Sequence, residues 1–593
     1  MAGRAMKMRK LILSASSGVL LALSLPPFNV TGLVWVGLIP LFLSLWGREP
    51  EKPQRWRGFG RGFVAGLGFW VLSLKWLVEV TSLGWLVVAA FLALYFGFFG
   101  MWVAKVGNPW DEEDGEAERS AWQSSRRSLW YALVCALWWC GLEWVRGWFL
   151  SGFGWNGLGV AFHETPVLAQ SADLVGVIGL AFLPVFANAI FLQVACRLHG
   201  EVKRGKMRAH WDFVVMITLM AGAFLYGVVR LHFAEEGKWQ AVRVLMVQLN
   251  IPQEASHVTW PLAQVHAGYE EDTLGALAEM EDAASVAAER ALRAGELAVA
   301  EIARPDWVVW PESALKEWIF VTDDGEQATG ENNRDTLGNV MSSGQFVLLM
   351  GLNEIEAVKE GERLMVKDDG YSYNSLVMVR PDKDRFETYR KQHLVLFGET
   401  IPLRETIPFM DDIFEKVAGV EFGANFGRGV GSDPMMVPVP ASGEEVAVIP
   451  SICFEDTVGR HPRKFIKNGG QVIVNVTNDG WFKESGAAAQ HFANARFRCV
   501  ELRRPMVRCS NTGVTAVVNH LGGVEDLVSG KRQVLEDGEG NHFTRGTLFA
   551  TARVPVEGRV TLYARFGDWL GALGFVLGVG LLGRARFVGR DRA

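Results

Sequence analysis

Long stretches without charge limit what this chain can become more than any motif does. Eight apolar runs stand out, at roughly residues 10–25, 31–46, 62–80, 84–105, 128–149, 172–196, 212–232 and 567–584. A helix needs about 20 mainly apolar residues to cross a bilayer, and most of the runs are that long. The first follows "MKMRK", as a signal peptide would, but "SLPPFN" offers no small-residue cleavage site, so a retained span is expected. The expectation is a membrane domain of eight transmembrane helices.

Lysine and arginine in the short connections set the direction of insertion. "GRAMKMRK", "REPEKPQRWRGFGR", "RLHGEVKRGKMRAH" and "RARFVGRDRA" all fall on one side of an eight-span topology. The opposite loops, "PPFNVTG", "EVTSLG" and "SGFGWNGLGVAFHETP", contain neither residue. Both termini are therefore expected in the cytoplasm. Residues 233–566 are expected on the far side of a bacterial inner membrane, in the periplasm. The division that follows is 1–232 with seven spans, 233–566 as an extramembrane domain, and 567–593 as a last span and cytoplasmic tail. The net charge of −6 gives no reason to expect a nucleic acid partner.

From residue 239 the pattern changes to short apolar segments separated by turns. "AVRVLMVQLN", "PDWVVWPES", "FVLLMGLNE", "YNSLVMVR", "EEVAVIPSICFED", "GGQVIVNVTNDGWF", "TGVTAVVNHLGG" and "GTLFATARV" read as strands. The Ala- and Glu-rich stretch near 276–304 and "AQHFANARFRCVELRRP" read as helices, so the domain is expected to be layered α/β. Segment 404–434 reads as neither and is expected to be an arm beside a site.

The polar residues at the ends of apolar strands carry the chemistry. Glu312 follows "VVWP", Cys453 follows "VAVIPSI", and "YRKQHLVLFGE" between them supplies Lys391 and Glu399. A thiol attacks a carbonyl as thiolate. A carboxylate in reach can take its proton, and an ammonium can stabilise the oxyanion that forms. Glu, Lys and Cys thus suffice for covalent acyl transfer without metal or cofactor. Each also has a plainer reading: Glu312 as a helix cap, Lys391 as a solvated charge, Cys453 as core. A Cys–His pair using His393 or His491 is a further alternative. Three of the six cysteines, Cys453, Cys499 and Cys509, lie outside the apolar runs. In an oxidising compartment an odd number leaves at least one thiol unpaired, and a Cys499–Cys509 bridge stays open.

"VVWPES", "YRKQHLVLFGE" and "SICFED", in this order, resemble the nitrilase superfamily. "NVTNDGWF", "ARFRCVELRRP" and "NTGVTAV" extend the likeness. With apolar runs on either side, the whole chain resembles the membrane-embedded branch, the apolipoprotein N-acyltransferases. The resemblance implies an αββα sandwich with Glu312 as general base, Lys391 at the oxyanion and Cys453 as the acylated nucleophile. It implies supporting or substrate-binding roles for Glu399, Glu455, Phe454, Arg146, Trp260 and Pro402. Phe454 stands where the family often has tyrosine, so a role needing a phenolic hydroxyl is not carried over. Arg146, in "LEWVRGWF", is expected at the outer end of a span, facing a head-group or the active site.

The implied reaction moves the sn-1 acyl chain of a phospholipid, typically phosphatidylethanolamine, to Cys453. From the thioester it passes to the α-amino group of a diacylglyceryl-cysteine at a lipoprotein N-terminus. A monomer is expected. The competing readings are a membrane-tethered carbon–nitrogen hydrolase using the same triad with water, and a non-enzymatic transporter or assembly factor.

Overall fold

The computed structural model describes residues 2–46, 54–110, 120–234, 237–254, 257–293, 304–361, 363–382, 385–395, 398–400 and 426–590. The chain forms two compact units: residues 1–234 with 561–593, and residues 235–560.

The first unit is helical, and helix occurs in all eight apolar runs. Among the described residues, four helices are long and apolar enough to cross a membrane: Ser82–Lys105, Ala121–Arg146, Phe182–Arg204 and Trp211–His232. Three of the other four runs fall short for visible reasons. Helix Ala2–Leu23 and helix Gln54–Ser73 carry clustered basic residues near their starts. Segment Thr31–Leu45 is broken by a non-helical stretch. There Asn188 accepts from the Leu38 and Ile39 N–H groups at 2.9 and 3.2 Å and donates to the Val34 carbonyl at 2.9 Å. A side-chain amide thereby serves backbone groups that the break leaves open.

Small residues let the helices approach closely. A Cβ on Gly62 would lie 2.1 Å from the Phe96 carbonyl oxygen, where Gln54–Ser73 crosses Ser82–Lys105. One on Gly574 would lie 2.0 Å from the Leu137 carbonyl oxygen. Helix Trp569–Arg590 therefore packs on Ala121–Arg146, joining the two ends of the sequence in one bundle.

The second unit is built on two sheets. The first runs in the order Glu387–Arg390, Ser372–Val379, Val347–Glu360, Trp307–Trp310, Trp239–Gln248, Gly546–Pro555. Its three central strands are parallel. The second runs Met435–Val439, Glu444–Ile452, Val472–Thr477, Met506–Ser510, Ala516–Val518, again with a parallel centre. Strands covered on both faces read as unbroken apolar runs, which is why "VVW", "VAVIP" and "VIV" carry no alternation.

The sheets face each other. Trp307 Nε1 on the first donates to the Pro438 carbonyl on the second at 2.8 Å, and the Cys509 thiol reaches back to the Val247 and Val309 carbonyls. Helices Leu262–Arg293 and Glu331–Ser342 cover the first sheet through Val265, Tyr269, Leu337 and Val340. Helices Arg460–Ile466 and Gly486–Leu502 lie in the crossovers of the second. The open ends of parallel strands collect functional groups. Here Trp307–Trp310 runs out to Glu312, and Glu444–Ile452 runs out to Cys453.

All six cysteines are free, so Cys499 and Cys509 are not bridged. Both are buried, and burial raises both thiols well above their ordinary range. Residues 404–425 of the expected arm, and Pro402, lie outside the described residues.

Candidate active site

Cys453 ends its strand in a left-handed conformation, φ 50°, and opens the short turn Cys453–Thr457. A side chain there is strained, and such strain marks sites where the fold must aim a group. The surroundings hold the turn in place. Glu455, buried, accepts from the Ile452 N–H at 2.9 Å, the Gln392 N–H at 2.7 Å, the His393 N–H at 2.9 Å and the Tyr389 hydroxyl at 2.9 Å. One carboxylate thereby ties the cysteine turn to the segment that follows Lys391. Asn475, on the neighbouring strand, donates to Ser451 Oγ at 3.1 Å and to the Cys453 carbonyl at 3.3 Å.

Three charged groups converge beside the thiol. Lys391 Nζ, fully buried, donates to Glu399 Oε1 at 2.8 Å and lies 3.6 Å from Glu312 Oε1. Asn374, in the middle of strand Ser372–Val379, joins the two carboxylates. Its Nδ2 donates to Glu312 Oε1 at 2.7 Å and to Glu399 Oε1 at 3.0 Å, and its carbonyl accepts from the Lys391 N–H at 2.8 Å. Glu399 Oε2 accepts from the Val395 N–H at 2.9 Å. The other oxygen of Glu312 is buried without a formed hydrogen bond, while the Cys453 thiol comes close enough to favour the carboxylate charge.

The electrostatics follow from burial and neighbours. Burial pushes the Glu312 carboxyl up, against Lys391, which pulls it down. Burial and the Glu312 charge push the Cys453 thiol well above its ordinary range, with Lys391 opposing. Burial works against the Lys391 charge, but Glu399 and Glu312 outweigh it and hold the ammonium above ordinary lysine. At rest the proton therefore sits on sulfur and the lysine is charged, with the poorly solvated Glu312 carboxyl beside them.

Phe454 stacks on His393 with ring centroids 5.9 Å apart. His393 is neutral: burial and the Arg460 charge push it down to about 3. The second histidine weighed in the sequence, His491, belongs to a separate buried cluster. Its Nδ1 and Nε2 contact Asp479 Oδ1 at 2.7 Å and Asp456 Oδ1 at 2.8 Å. Arg508 binds the remaining oxygens, Asp456 Oδ2 at 3.4 Å and Asp479 Oδ2 at 3.3 Å. A histidine occupied on both nitrogens by carboxylates does not serve the thiol as base.

Not every expected residue comes to this cluster. Trp260 packs against the apolar core of the first sheet, with its carbonyl accepting from Lys316 at 2.7 Å and Arg545 over its ring. Arg146 belongs to the helical unit. It is buried rather than presented at a surface: Nη1 donates to the Phe153 and Trp155 carbonyls at 2.7 and 2.6 Å, and the guanidinium lies over Trp70. The sequence reading missed Asn374 and Asn475. The signal was present, because an asparagine inside an apolar strand is costly unless it has partners. Among the described residues, no group of three or more His, Cys, Asp or Glu side chains is arranged to hold a metal ion.

Comparison with known proteins finds relatives of both parts of the chain. Residues 17–190 match the apolipoprotein N-acyltransferase N-terminal domain, and residues 247–536 match the carbon-nitrogen hydrolase domain. An apolipoprotein N-acyltransferase of Geobacter metallireducens is 28% identical over 559 residues, covering 92% of this chain and 93% of that one. One of Rhodopseudomonas palustris is 27% identical over 581 residues, covering 94% and 92%. The crystal structure of a carbon-nitrogen hydrolase from Helicobacter pylori aligns with 52% of this chain and 88% of its own, at 14% identity and a TM-score of 0.29, too low to add to the sequence matches. Both domains occur in order, and the two relatives match over more than nine-tenths of each chain: the chain belongs to the apolipoprotein N-acyltransferase family.

Proposed function

We propose that this protein N-acylates lipoproteins, moving a fatty acyl chain from a phospholipid to the N-terminal diacylglyceryl-cysteine through a thioester on Cys453. The observation that carries the reading is the meeting of a strained, partly exposed cysteine with a buried carboxylate and a buried ammonium. A chain rich in apolar helices accounts for two lipid substrates.

In the first half-reaction Glu312 takes the thiol proton as sulfur attacks the sn-1 ester carbonyl. The tetrahedral oxyanion forms against the Lys391 ammonium, whose charge Glu399 and Glu312 preserve. Collapse breaks the ester C–O bond, Glu312 returns the proton to the departing oxygen, and a lysophospholipid leaves. In the second half-reaction the lipoprotein α-amine attacks the thioester and Glu312 accepts its proton. Collapse expels the thiol, reprotonated by Glu312, and leaves an amide. Asn374 orients Glu312 and Glu399, and Glu455 fixes the turn that aims Cys453. Phe454, Arg146, Trp260 and Pro402 are assigned to substrate binding.

The same reading gives the chain eight spans: seven in residues 1–232 and one in 567–593. The catalytic domain, 233–566, lies in the periplasm and both termini in the cytoplasm. The asymmetry of lysine and arginine in the connecting loops supports this orientation. The donor is phosphatidylethanolamine and the enzyme a monomer.

The test is stoichiometric. With phosphatidylethanolamine and a synthetic diacylglyceryl-cysteine peptide, lysophospholipid and N-acylated peptide should appear in equal amounts. Release of free fatty acid with unmodified peptide would instead identify a tethered hydrolase.

A further inference from the structure

Helix Arg460–Ile466, which follows the cysteine turn, breaks two electrostatic rules. Its sequence, RHPRKFI, contains no acidic residue and begins with Arg460, where the helix dipole disfavours a cation. Arg460 and Lys464 stand one turn apart on one face, where like charges repel. Departures of this kind concentrate at functional sites.

Both side chains reach the segment after Lys391. Arg460 Nη2 lies 3.5 Å from His393 Nδ1, and Lys464 Nζ donates to Gln392 Oε1. A third cation arrives from another part of the chain. The backbone on either side of Arg428 is fixed, because the Gly427 N–H donates to the Ser372 carbonyl and the Gly429 N–H to the Lys391 carbonyl, both at 2.8 Å. Arg428 itself is exposed, and its charge acts on His393 together with that of Arg460. Glu455, the carboxylate that faces Lys464, has its oxygens occupied by Tyr389 and three backbone N–H groups.

His393 completes the arrangement. It stays neutral, and with Nδ1 turned to a guanidinium its hydrogen sits on Nε2, which makes it a donor. It stacks on Phe454, the residue next to the nucleophile. The chemistry on offer at the rim of the site is thus positive charge plus a neutral donor, suited to a singly charged oxyanion. In a glycerophospholipid the phosphate is joined to the same glycerol as the sn-1 ester, so its binding groups must lie beside the attacking sulfur.

We propose that Arg460, Arg428 and His393 form a phosphate subsite beside Cys453 that receives the phosphodiester of the lipid acyl donor. The proposal rests on the acyl-transfer reading and names the part of the donor that this chain recognises.

The experiment compares two donors with the full-length protein in detergent. Phosphatidylethanolamine carries the phosphodiester, and 4-nitrophenyl palmitate lacks it. Acylation of Cys453 is followed by intact-protein mass spectrometry in the parent, Arg460→Gln, Arg428→Gln and Arg460→Lys. The expected result is a phospholipid rate lowered at least tenfold relative to the nitrophenyl ester in each glutamine variant, with Arg460→Lys retaining most of the parent ratio. Equal losses with both donors, or no loss with either, overturn the subsite.

Two competitors separate the sources of phosphate. Slowing of the parent by glycerophosphoethanolamine supports the lipid head-group, and slowing by inorganic phosphate alone overturns that assignment. A parent acylated by neither donor would refute the acyl-transfer reading itself, and the subsite with it.

Discussion

Two buried clusters of charge flank the cysteine turn, and they use similar residues to opposite ends. In the first, Asp456, Asp479, His491 and Arg508 balance two negative with two positive charges, and every carboxylate oxygen has a partner. In the second, Glu312 and Glu399 share one lysine and one asparagine, and one oxygen of Glu312 has no formed hydrogen bond. A satisfied network holds parts together, whereas an unsatisfied one keeps a group reactive. The satisfied cluster connects the cysteine turn, the turn after the next strand, helix Gly486–Leu502 and strand Met506–Ser510. The unsatisfied cluster surrounds the thiol that those elements position.

The comparison breaks most visibly at Glu312. Glu312→Gln keeps the shape and the contact with Asn374 but removes the base, so acyl-enzyme formation should slow roughly 10³-fold. Thermal unfolding of the same variant should occur no lower than in the parent, because a poorly solvated charge is gone. Activity and stability lost together would place Glu312 among structural groups.

His491→Gln should behave in the opposite way. Breaking a buried, paired charge costs about 3–5 kcal/mol, to be read from thermal unfolding. The cluster also predicts a pH window. Burial opposes the His491 charge, but Asp456 and Asp479 outweigh it and raise the imidazole to about 9. A folded value above the unfolded one gives stability that is complete below the unfolded value, near 6.5, and fades as pH rises through about 9. The variant should lose that slope, and a parent whose unfolding temperature is flat over this range would contradict the pairing.

Asn374→Ala sharpens the contrast further. Losing a hydrogen bond shared by two carboxylates costs about 1.5–3 kcal/mol, seen as acylation slowed by about 10- to 100-fold. The smallest effect concerns the resting thiol. Burial and Glu312 raise it, so Cys453 alkylation by iodoacetamide should keep rising with pH beyond pH 9, the ordinary thiol value. A plateau near neutral pH would mean a resting thiolate instead.

Much of this was legible in the sequence because it rests on local pattern. Parallel strands buried on both faces leave unbroken apolar runs, and a polar residue just past their ends falls at the open edge of the sheet. That logic found Glu312 and Cys453, and "YRKQH" supplied Lys391. It did not find the groups that enter from the middle of strands. Asn374 and Asn475 sit inside segments that read only as strands, and only the fold shows which carboxylates or carbonyls they meet. The His491 cluster was hidden for a similar reason: its four members come from four segments, joined by no spacing rule. For Arg146 the sequence showed its place at the end of a helix, but length and position do not reveal that the following loop wraps around it through the Phe153 and Trp155 carbonyls. The eight apolar runs all contain helix, yet among the described residues four helices meet a spanning length and composition.

One measurement bears most directly on the account: the intact mass of the full-length protein after incubation with phosphatidylethanolamine and no acceptor. The account predicts a gain of one acyl chain, mapped to Cys453 and absent from Cys453→Ala. An unchanged mass, or the same gain in Cys453→Ala, would contradict it.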